Sequence, residues 1–277
     1  MPRLIVGVLM GAALTAMSGC TTPQQQLKAL ASAQGAVPSV IHTSLYDLQT
    51  LTPSGLPYGK PLTIYIEGDG HAWATATQPS LDPSPHALDI ARLALEPDHP
   101  GVYLARPCQF IMSERCEKSL WTDARFNPQI ITAMQAALDQ LKRRYQAPSL
   151  ELIGYSGGAA IALLLAGRRD DVDRIQTISG NLDPHAWVQL KNLSPLRGSA
   201  DPLKNAPHLS TIPQRHFIGT GDTIITAPLI KGYLHKVRPA CAEVITLPGT
   251  HSSVIGAISP HALNRPIACG RNVPPAE

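Results

Sequence analysis

The sequence predicts an α/β protein in which helices flank a largely parallel sheet. Short apolar, β-branched runs alternate with segments of helical spacing along most of the chain, and this alternation is typical of βαβ units. The strands are expected at residues 61–66, 101–105, 150–153, 174–179, 215–219 and 243–247. No Pro- or Gly-rich linker divides these runs, so residues 39–277 are expected to form one domain.

Two helices are predicted between the strands. Residues 128–145 carry apolar side chains at helical spacing and begin with Pro128, which is favoured in the first turn of a helix. Residues 157–168 are a run of small and apolar residues that begins four residues after the end of the third predicted strand. A strand, a short turn and a helix are therefore expected in succession.

The composition indicates a globular protein. Of the 277 residues, 44% are hydrophobic and 16% are charged, which is enough apolar material for a core and excludes a disordered chain. The 23 basic and 20 acidic residues give a formal charge of +3, with no run of Lys or Arg, so nucleic acid is not an expected partner. No repeat period is visible, which excludes a solenoid.

The N-terminus has the pattern of an export signal. Arg3 precedes an apolar run that is short for a membrane span and ends in Ser-Gly-Cys. Cys20 and its neighbours resemble the lipobox of bacterial lipoproteins, with Met17 where Leu is usual. An ordinary secretory signal is the alternative. The resemblance implies removal of residues 1–19 and acylation of Cys20, for example by palmitate. Because no Asp follows Cys20, it also implies an outer-membrane position facing the periplasm. Residues 20–38, which are polar and rich in Gln and Ala, are expected to be a tether.

The remaining cysteines suit an oxidising compartment. They are even in number and are Cys108, Cys116, Cys241 and Cys269. Three connectivities are possible, and proximity in sequence favours Cys108–Cys116 with Cys241–Cys269. Free buried thiols are the alternative. Because the spacing is typical of neither a zinc site nor a CxxC redox site, no metal is expected.

A Gly-Tyr-Ser-Gly-Gly motif at residues 154–158 lies between a predicted strand and a predicted helix. In that context a serine occupies a strained turn, with its hydroxyl exposed above the sheet. The helix N-terminus directs backbone N–H groups towards a developing oxyanion. The motif resembles the nucleophile elbow of the α/β-hydrolases, and a glycine-rich turn with a surface serine is the alternative. The resemblance implies an α/β-hydrolase fold with Ser156 as the nucleophile.

The resemblance also implies an acid and then a histidine after the serine. Asp222, in the stretch GTGDTII, resembles the family's acid and follows a predicted strand, and His251 follows the last predicted strand. Asp183, which also follows a strand, is the alternative acid. Ser156 is expected to attack, His251 to act as base and then acid, and Asp222 to hold the imidazole tautomer.

An oxyanion hole requires two donors, usually backbone N–H groups. The resemblance assigns one of them to Gly157. The second is expected in the loop EGDGHAW after the strand at residues 61–66, where the family usually has a His-Gly pair, and Gly70 and His71 are the candidates. A simple Gly-Asp-Gly turn is the alternative.

Further side chains are candidates for lining the cleft. Trp73, Trp121, Arg125 and Phe126 belong either to the cleft or to the core, and residues 181–211 are long enough to form a small lid.

Together these features predict a membrane-anchored serine hydrolase that cleaves a carboxylic ester or thioester through an acyl-enzyme. Its expected partners are a small acyl ester substrate and a lipid anchor, with no cofactor and no metal. An acyltransferase or peptidase on the same fold, and a non-catalytic envelope lipoprotein, are the alternatives. The sequence predicts neither acyl-chain length nor oligomeric state.

Overall fold

The computed structural model describes residues 21–267 and residue 269. Its strands are β1 (Ala36–His42), β2 (Asp47–Pro53), β3 (Leu62–Ile66), β4 (Val102–Leu104), β5 (Leu150–Tyr155), β6 (Val172–Ile178), β7 (Gln214–Gly219) and β8 (Ala242–Leu247). The α-helices are α1 (Pro23–Ala33), α2 (Asp89–Ala94), α3 (Pro128–Tyr145), α4 (Gly157–Ala166), α5 (Pro184–Leu190), α6 (Ala206–Leu209), α7 (Ala227–Val237) and α8 (Pro260–Asn264). Short 3₁₀ helices cover Lys118–Trp121, Pro202–Asn205 and Ser253–Ala257.

The strands form one sheet in the order β1-β2-β4-β3-β5-β6-β7-β8. Strands β3 to β8 are parallel to one another, whereas β2 pairs antiparallel with both β1 and β4. The prediction of a mostly parallel sheet flanked by helices is confirmed. Because the parallel strands all end at one edge, the loops that follow β3, β5, β7 and β8 meet there.

The helix α4 packs unusually closely on the sheet. All its residues are buried, which agrees with an apolar surface on every side. Gly158 lies against the carbonyl groups of Ile66 and Glu67, where a methyl group would overlap both oxygens. A glycine is therefore required at this position, and the close approach fixes the start of α4 relative to the end of β3.

The segment at residues 20–38 is not the tether that its composition predicts. From residue 23 it forms α1 and the first part of β1. Thr22 caps α1 in a reciprocal capping box with Gln25, and the helix buries Leu27, Leu30 and Ala31. These side chains recur at helical spacing, so they pack on the sheet, while Gln25 is exposed.

Residues 1–20 lie outside the described residues, and with them the predicted signal peptide and the acylation site Cys20. Among residues 21–267 no helix is long and apolar enough to cross a membrane.

Both disulfides are present, with the connectivity that proximity favours. Cys108 is joined to Cys116, and Cys241 to Cys269. The second bond ties the chain beyond α8 to the start of β8. Beside it the fully buried Arg215 donates hydrogen bonds to four backbone carbonyl groups within residues 262–266. The end of the described chain is thus fastened to the sheet.

Candidate active site

Three side chains meet at the carboxyl edge of the sheet. The Nε2 atom of His251 lies 3.0 Å from the Oγ atom of Ser156, and its Nδ1 atom lies 2.9 Å from Oδ2 of Asp222. Ser156 follows β5, Asp222 follows β7 and His251 follows β8. A base within hydrogen-bond distance of a hydroxyl, and itself held by a carboxylate, is the arrangement that activates a serine nucleophile.

Ser156 occupies a strained backbone conformation. Its φ is 49° and its ψ is −118°, a region that costs on the order of 1–3 kcal/mol for a residue with a side chain. Hydrogen bonds on both sides hold the turn, because the Ser156 N–H donates to the carbonyl of Ile178 and the Ser156 carbonyl accepts from Asn181. The strain directs the hydroxyl away from the sheet and towards His251.

Asp222 is oriented by its own loop. Its Oδ1 atom accepts hydrogen bonds from the N–H groups of Ile224 and Ile225 at 2.8 and 2.9 Å, which leaves Oδ2 for His251. Burial alone would raise the pKa of Asp222, but the hydrogen bonds from His251 and Ile225 hold that pKa below its ordinary value. The carboxylate therefore stays ionised beside the imidazole.

The alternative acid, Asp183, is engaged elsewhere. Its Oδ1 atom accepts a hydrogen bond from the N–H of Ala186 at 3.0 Å, which caps α5, and its Oδ2 atom pairs with Lys236. The structure thus joins His251 to Asp222 and uses Asp183 as a helix cap.

Tyr155 is a site residue that the sequence analysis did not single out. Its ring lies 5.4 Å from the His251 ring, centroid to centroid, and its hydroxyl is 3.5 Å from the His251 carbonyl oxygen. Tyr155 is the residue between Gly154 and Ser156 in the motif, and the motif pattern leaves that position unspecified. The sequence therefore carries no signal for this contact.

Comparisons with known proteins identify the fold. No family model and no curated protein matches the chain. Solved structures do: an esterase from Pyrococcus furiosus is 12% identical over 81% of this chain and 88% of its own, with a TM-score of 0.56. The chain has the α/β-hydrolase fold. An α/β serine hydrolase homologue from Coxiella burnetii is 13% identical over 78% of this chain and 89% of its own, with a TM-score of 0.52. Est1E from Butyrivibrio proteoclasticus is 15% identical over 77% of this chain and 90% of its own, with a TM-score of 0.55.

A cleft of about 1100 Å³ opens over the Ser156 hydroxyl, on the side of this α/β-hydrolase fold where ligands bind. Trp73 and Arg125 line it, as do Trp187 and residues 193–197. The segment predicted as a lid thus forms one wall of the cleft. Trp121 and Phe126, which the sequence left between cleft and core, are buried in the core.

The loop at residues 67–71, named here the oxyanion loop, approaches Gly157. Among the described residues, the N–H groups of Gly157, Asp69 and Gly70 have no hydrogen-bond partner, so they are free to bind an oxyanion. The N–H of His71 already donates to the carbonyl of Pro83 at 3.1 Å. His71 is therefore excluded as a donor in this structure, whereas Gly70 stays a candidate and Asp69 joins it.

Glu67 is the first residue of the oxyanion loop. It is buried, and its two carboxyl oxygens accept hydrogen bonds from the Gly68 N–H at 2.8 Å and the Tyr103 hydroxyl at 2.9 Å. Burial raises the pKa of Glu67 to about 7, because desolvation penalises the charged form more than the two hydrogen bonds favour it.

Glu67→Gln is expected to stabilise the protein at pH 8 and to leave its stability at pH 5 nearly unchanged. Between pH 4.5 and about 7 the folded protein retains a proton that the unfolded chain releases. Stability is therefore lost as the pH rises through this window, by up to roughly 3 kcal/mol. Glutamine accepts from Gly68, donates to the Tyr103 oxygen, and does not ionise.

Urea unfolding of both proteins at pH 5 and pH 8 measures this difference. The exposed Glu114→Gln is the control and should follow the wild type. An identical pH dependence in Glu67→Gln and the wild type would mean that the buried carboxyl does not oppose folding.

Proposed function

We propose that this protein is a serine hydrolase that cleaves a carboxylic ester or thioester through an acyl-enzyme. The observation that carries the proposal is the continuous hydrogen-bonded chain from Ser156 through His251 to Asp222 beneath an open cleft. The names of the similar solved structures, which include the Pyrococcus furiosus esterase and a serine hydrolase homologue, support the same reaction class.

In the acylation step the Oγ atom of Ser156 attacks the carbonyl carbon of the substrate while Nε2 of His251 accepts the hydroxyl proton. The pair of electrons moves onto the carbonyl oxygen and gives a tetrahedral oxyanion. Asp222 stabilises the imidazolium that forms and keeps Nδ1 protonated. When the oxyanion collapses, the bond to the leaving group breaks and His251 protonates the departing alcohol or thiol.

Water completes the reaction. It enters the cleft and loses a proton to His251, and its oxygen attacks the acyl carbon bound to Ser156. A second oxyanion forms and collapses, which releases the carboxylic acid and returns the proton to Ser156. The N–H groups of Gly157 and of the oxyanion loop that have no partner among the described residues are proposed to bind both oxyanions.

The protein is further proposed to be attached through acylated Cys20 to the bacterial outer membrane, facing the periplasm. The lipobox-like sequence before Cys20 supports this location, as do the two disulfides, which form in oxidising compartments. Cells expressing the full chain should incorporate labelled palmitate into it, and Cys20→Ser should abolish the label. Equal labelling of both proteins would contradict the anchor.

Hydrolysis of esters with acyl chains of increasing length tests the proposed reaction. We expect saturable release of the leaving group from at least one p-nitrophenyl ester or its thioester analogue. With added methanol, a common acyl-enzyme predicts the same ratio of methyl ester to acid from two substrates that differ only in leaving group. Absence of turnover on the whole panel would support a non-catalytic lipoprotein, and transfer exceeding hydrolysis would support an acyltransferase.

A further inference from the structure

The carboxylate of Asp69, in the centre of the oxyanion loop, is held between two arginines. Its Oδ1 atom accepts a hydrogen bond from Nη1 of Arg106, and its Oδ2 atom accepts one from Nη1 of Arg125 at 2.7 Å. Both arginine side chains are more than nine-tenths buried, with 4% and 8% of their surface exposed. Each oxygen of the Asp69 carboxylate thus accepts a charge-assisted hydrogen bond from a different arginine, which fixes the orientation of the carboxylate.

The two arginines are themselves fixed from several sides. Nη2 of Arg106 donates to the backbone carbonyl of Arg125, and Nε of Arg125 donates to that of Thr122. Gln109 connects the same structure to the loop, because its amide oxygen accepts from the Arg106 N–H and its amide nitrogen donates to the Gly68 carbonyl, each at 3.0 Å. The donors around Asp69 therefore belong to one connected network.

This network lies directly against the nucleophile turn. A methyl group on Gly157 would overlap the Asp69 carboxylate, so the carboxylate packs on the backbone of the residue that follows Ser156. On the other side, a methyl group on Gly70 would overlap the Pro83 carbonyl, and Gly70 has a φ of +61°. The oxyanion loop is thus confined between the Pro83 carbonyl on one side and the backbone of Gly157 on the other.

A lone carboxylate at this place would oppose the reaction, since negative charge also develops on the substrate oxygen. Burial would raise the pKa of Asp69, but Arg125 and Arg106 hold that pKa below its ordinary value, so the carboxylate is charged at neutral pH. With two guanidinium groups and one carboxylate, the cluster carries a net charge of +1 and its field favours an oxyanion.

We propose that Asp69, Arg106 and Arg125 form a positioning device that holds the free N–H groups of the oxyanion loop against Gly157. This inference rests on the proposed function and adds to it. We assign the three side chains an indirect role, without contact with the reacting atoms. They act through the backbone of Asp69 and Gly70, and the two arginines make an acidic residue tolerable in an oxyanion hole.

Asp69→Ala is the principal test. We expect kcat for the best ester to fall about 100-fold, with KM within about threefold of the wild type, because a misplaced oxyanion donor weakens the transition state and not the ground state. The inhibition constant of an alkylboronic acid, whose adduct with Ser156 places an oxygen in the oxyanion position, should rise in parallel with the loss of kcat. Asp69→Asn, which keeps the shape and one acceptor oxygen, should lose less.

Asp171→Ala is the matched control. The Asp171 carboxylate is also held by two cations, Arg169 and Lys142, but it lies at the opposite edge of the sheet, immediately before β6. Loss of its ion pairs should alter the midpoint of unfolding and leave both kcat and the boronic acid constant unchanged. This variant separates loss of a partly buried ion pair from loss of the oxyanion donor.

Each outcome decides the inference. A kcat for Asp69→Ala within about threefold of the wild type overturns it, as does a lower kcat with unchanged boronic acid binding. If Asp69→Ala does not fold, Asp69→Asn decides by the same two constants. The proposed function fails separately, when the wild type itself neither turns over esters nor binds the boronic acid.

Discussion

Ser156→Ala is expected to lower kcat for ester hydrolysis by about 10⁵-fold, because no acyl-enzyme can form without the Oγ atom. KM should stay within about threefold, since the hydroxyl is small and the cleft walls are unchanged. The turn should keep its conformation in the variant, because the backbone hydrogen bonds to Ile178 and Asn181 that hold it do not involve the serine side chain. The far-ultraviolet circular dichroism of the variant should match the wild type.

The measurement is the initial rate with the best ester of the panel, at enzyme concentrations high enough to follow the residual activity. Ser210→Ala is the control, because Ser210 precedes the amino end of β7 and its hydroxyl donates a hydrogen bond to the Pro207 carbonyl within its own turn. Residual activity above about a tenth of the wild type in Ser156→Ala would assign the reaction to another nucleophile.

Asp222→Asn is expected to lower kcat by about 10⁴-fold. The asparagine keeps an oxygen for the N–H groups of Ile224 and Ile225, so the loop stays in place. Its amide nitrogen then faces Nδ1 of His251 as a donor. The imidazole is forced into the tautomer that carries its proton on Nε2, and that tautomer cannot accept the Ser156 proton.

Asp183→Asn is the matched control for this prediction. Asparagine is as good a helix cap as aspartate, and the ion pair that it removes joins Asp183 to a Lys236 side chain that is 52% exposed. We expect kcat to change little, with at most a small loss of stability. A larger loss of kcat in Asp183→Asn than in Asp222→Asn would reverse the assignment of the acid.

The sequence could predict those parts of the fold that are determined by residues close to one another along the chain. The parallel strands are short β-branched runs. The glycines around Ser156 are typical of a strand–turn–helix junction, so they predict the turn at this residue. By contrast, β2 buries Gln49 and Thr50, whose side chains bond to the carbonyl of Ser39 on the neighbouring strand. A strand with a polar buried face carries little local signal, and the antiparallel pair of β1 and β2 was accordingly not predicted.

The same distinction applies to the site. His251 could be chosen among ten histidines because it directly follows a strand in the expected order. The partners of Asp69 could not be chosen, since Arg106 and Arg125 lie 37 and 56 residues further along the chain. Contacts between loops depend on the packing of the sheet, and no spacing in the sequence encodes them. The hydrogen bond from the His71 N–H to the Pro83 carbonyl could not be predicted for the same reason.

The most direct measurement of the central claim is the mass of the protein after treatment with a fluorophosphonate, followed by peptide mapping. Attack by an activated serine displaces fluoride and leaves one phosphonyl group on Oγ. The account predicts one adduct per chain, located on Ser156, absent from Ser156→Ala and formed far more slowly by Asp222→Asn. An unmodified wild type, or an adduct that persists in Ser156→Ala, would contradict it.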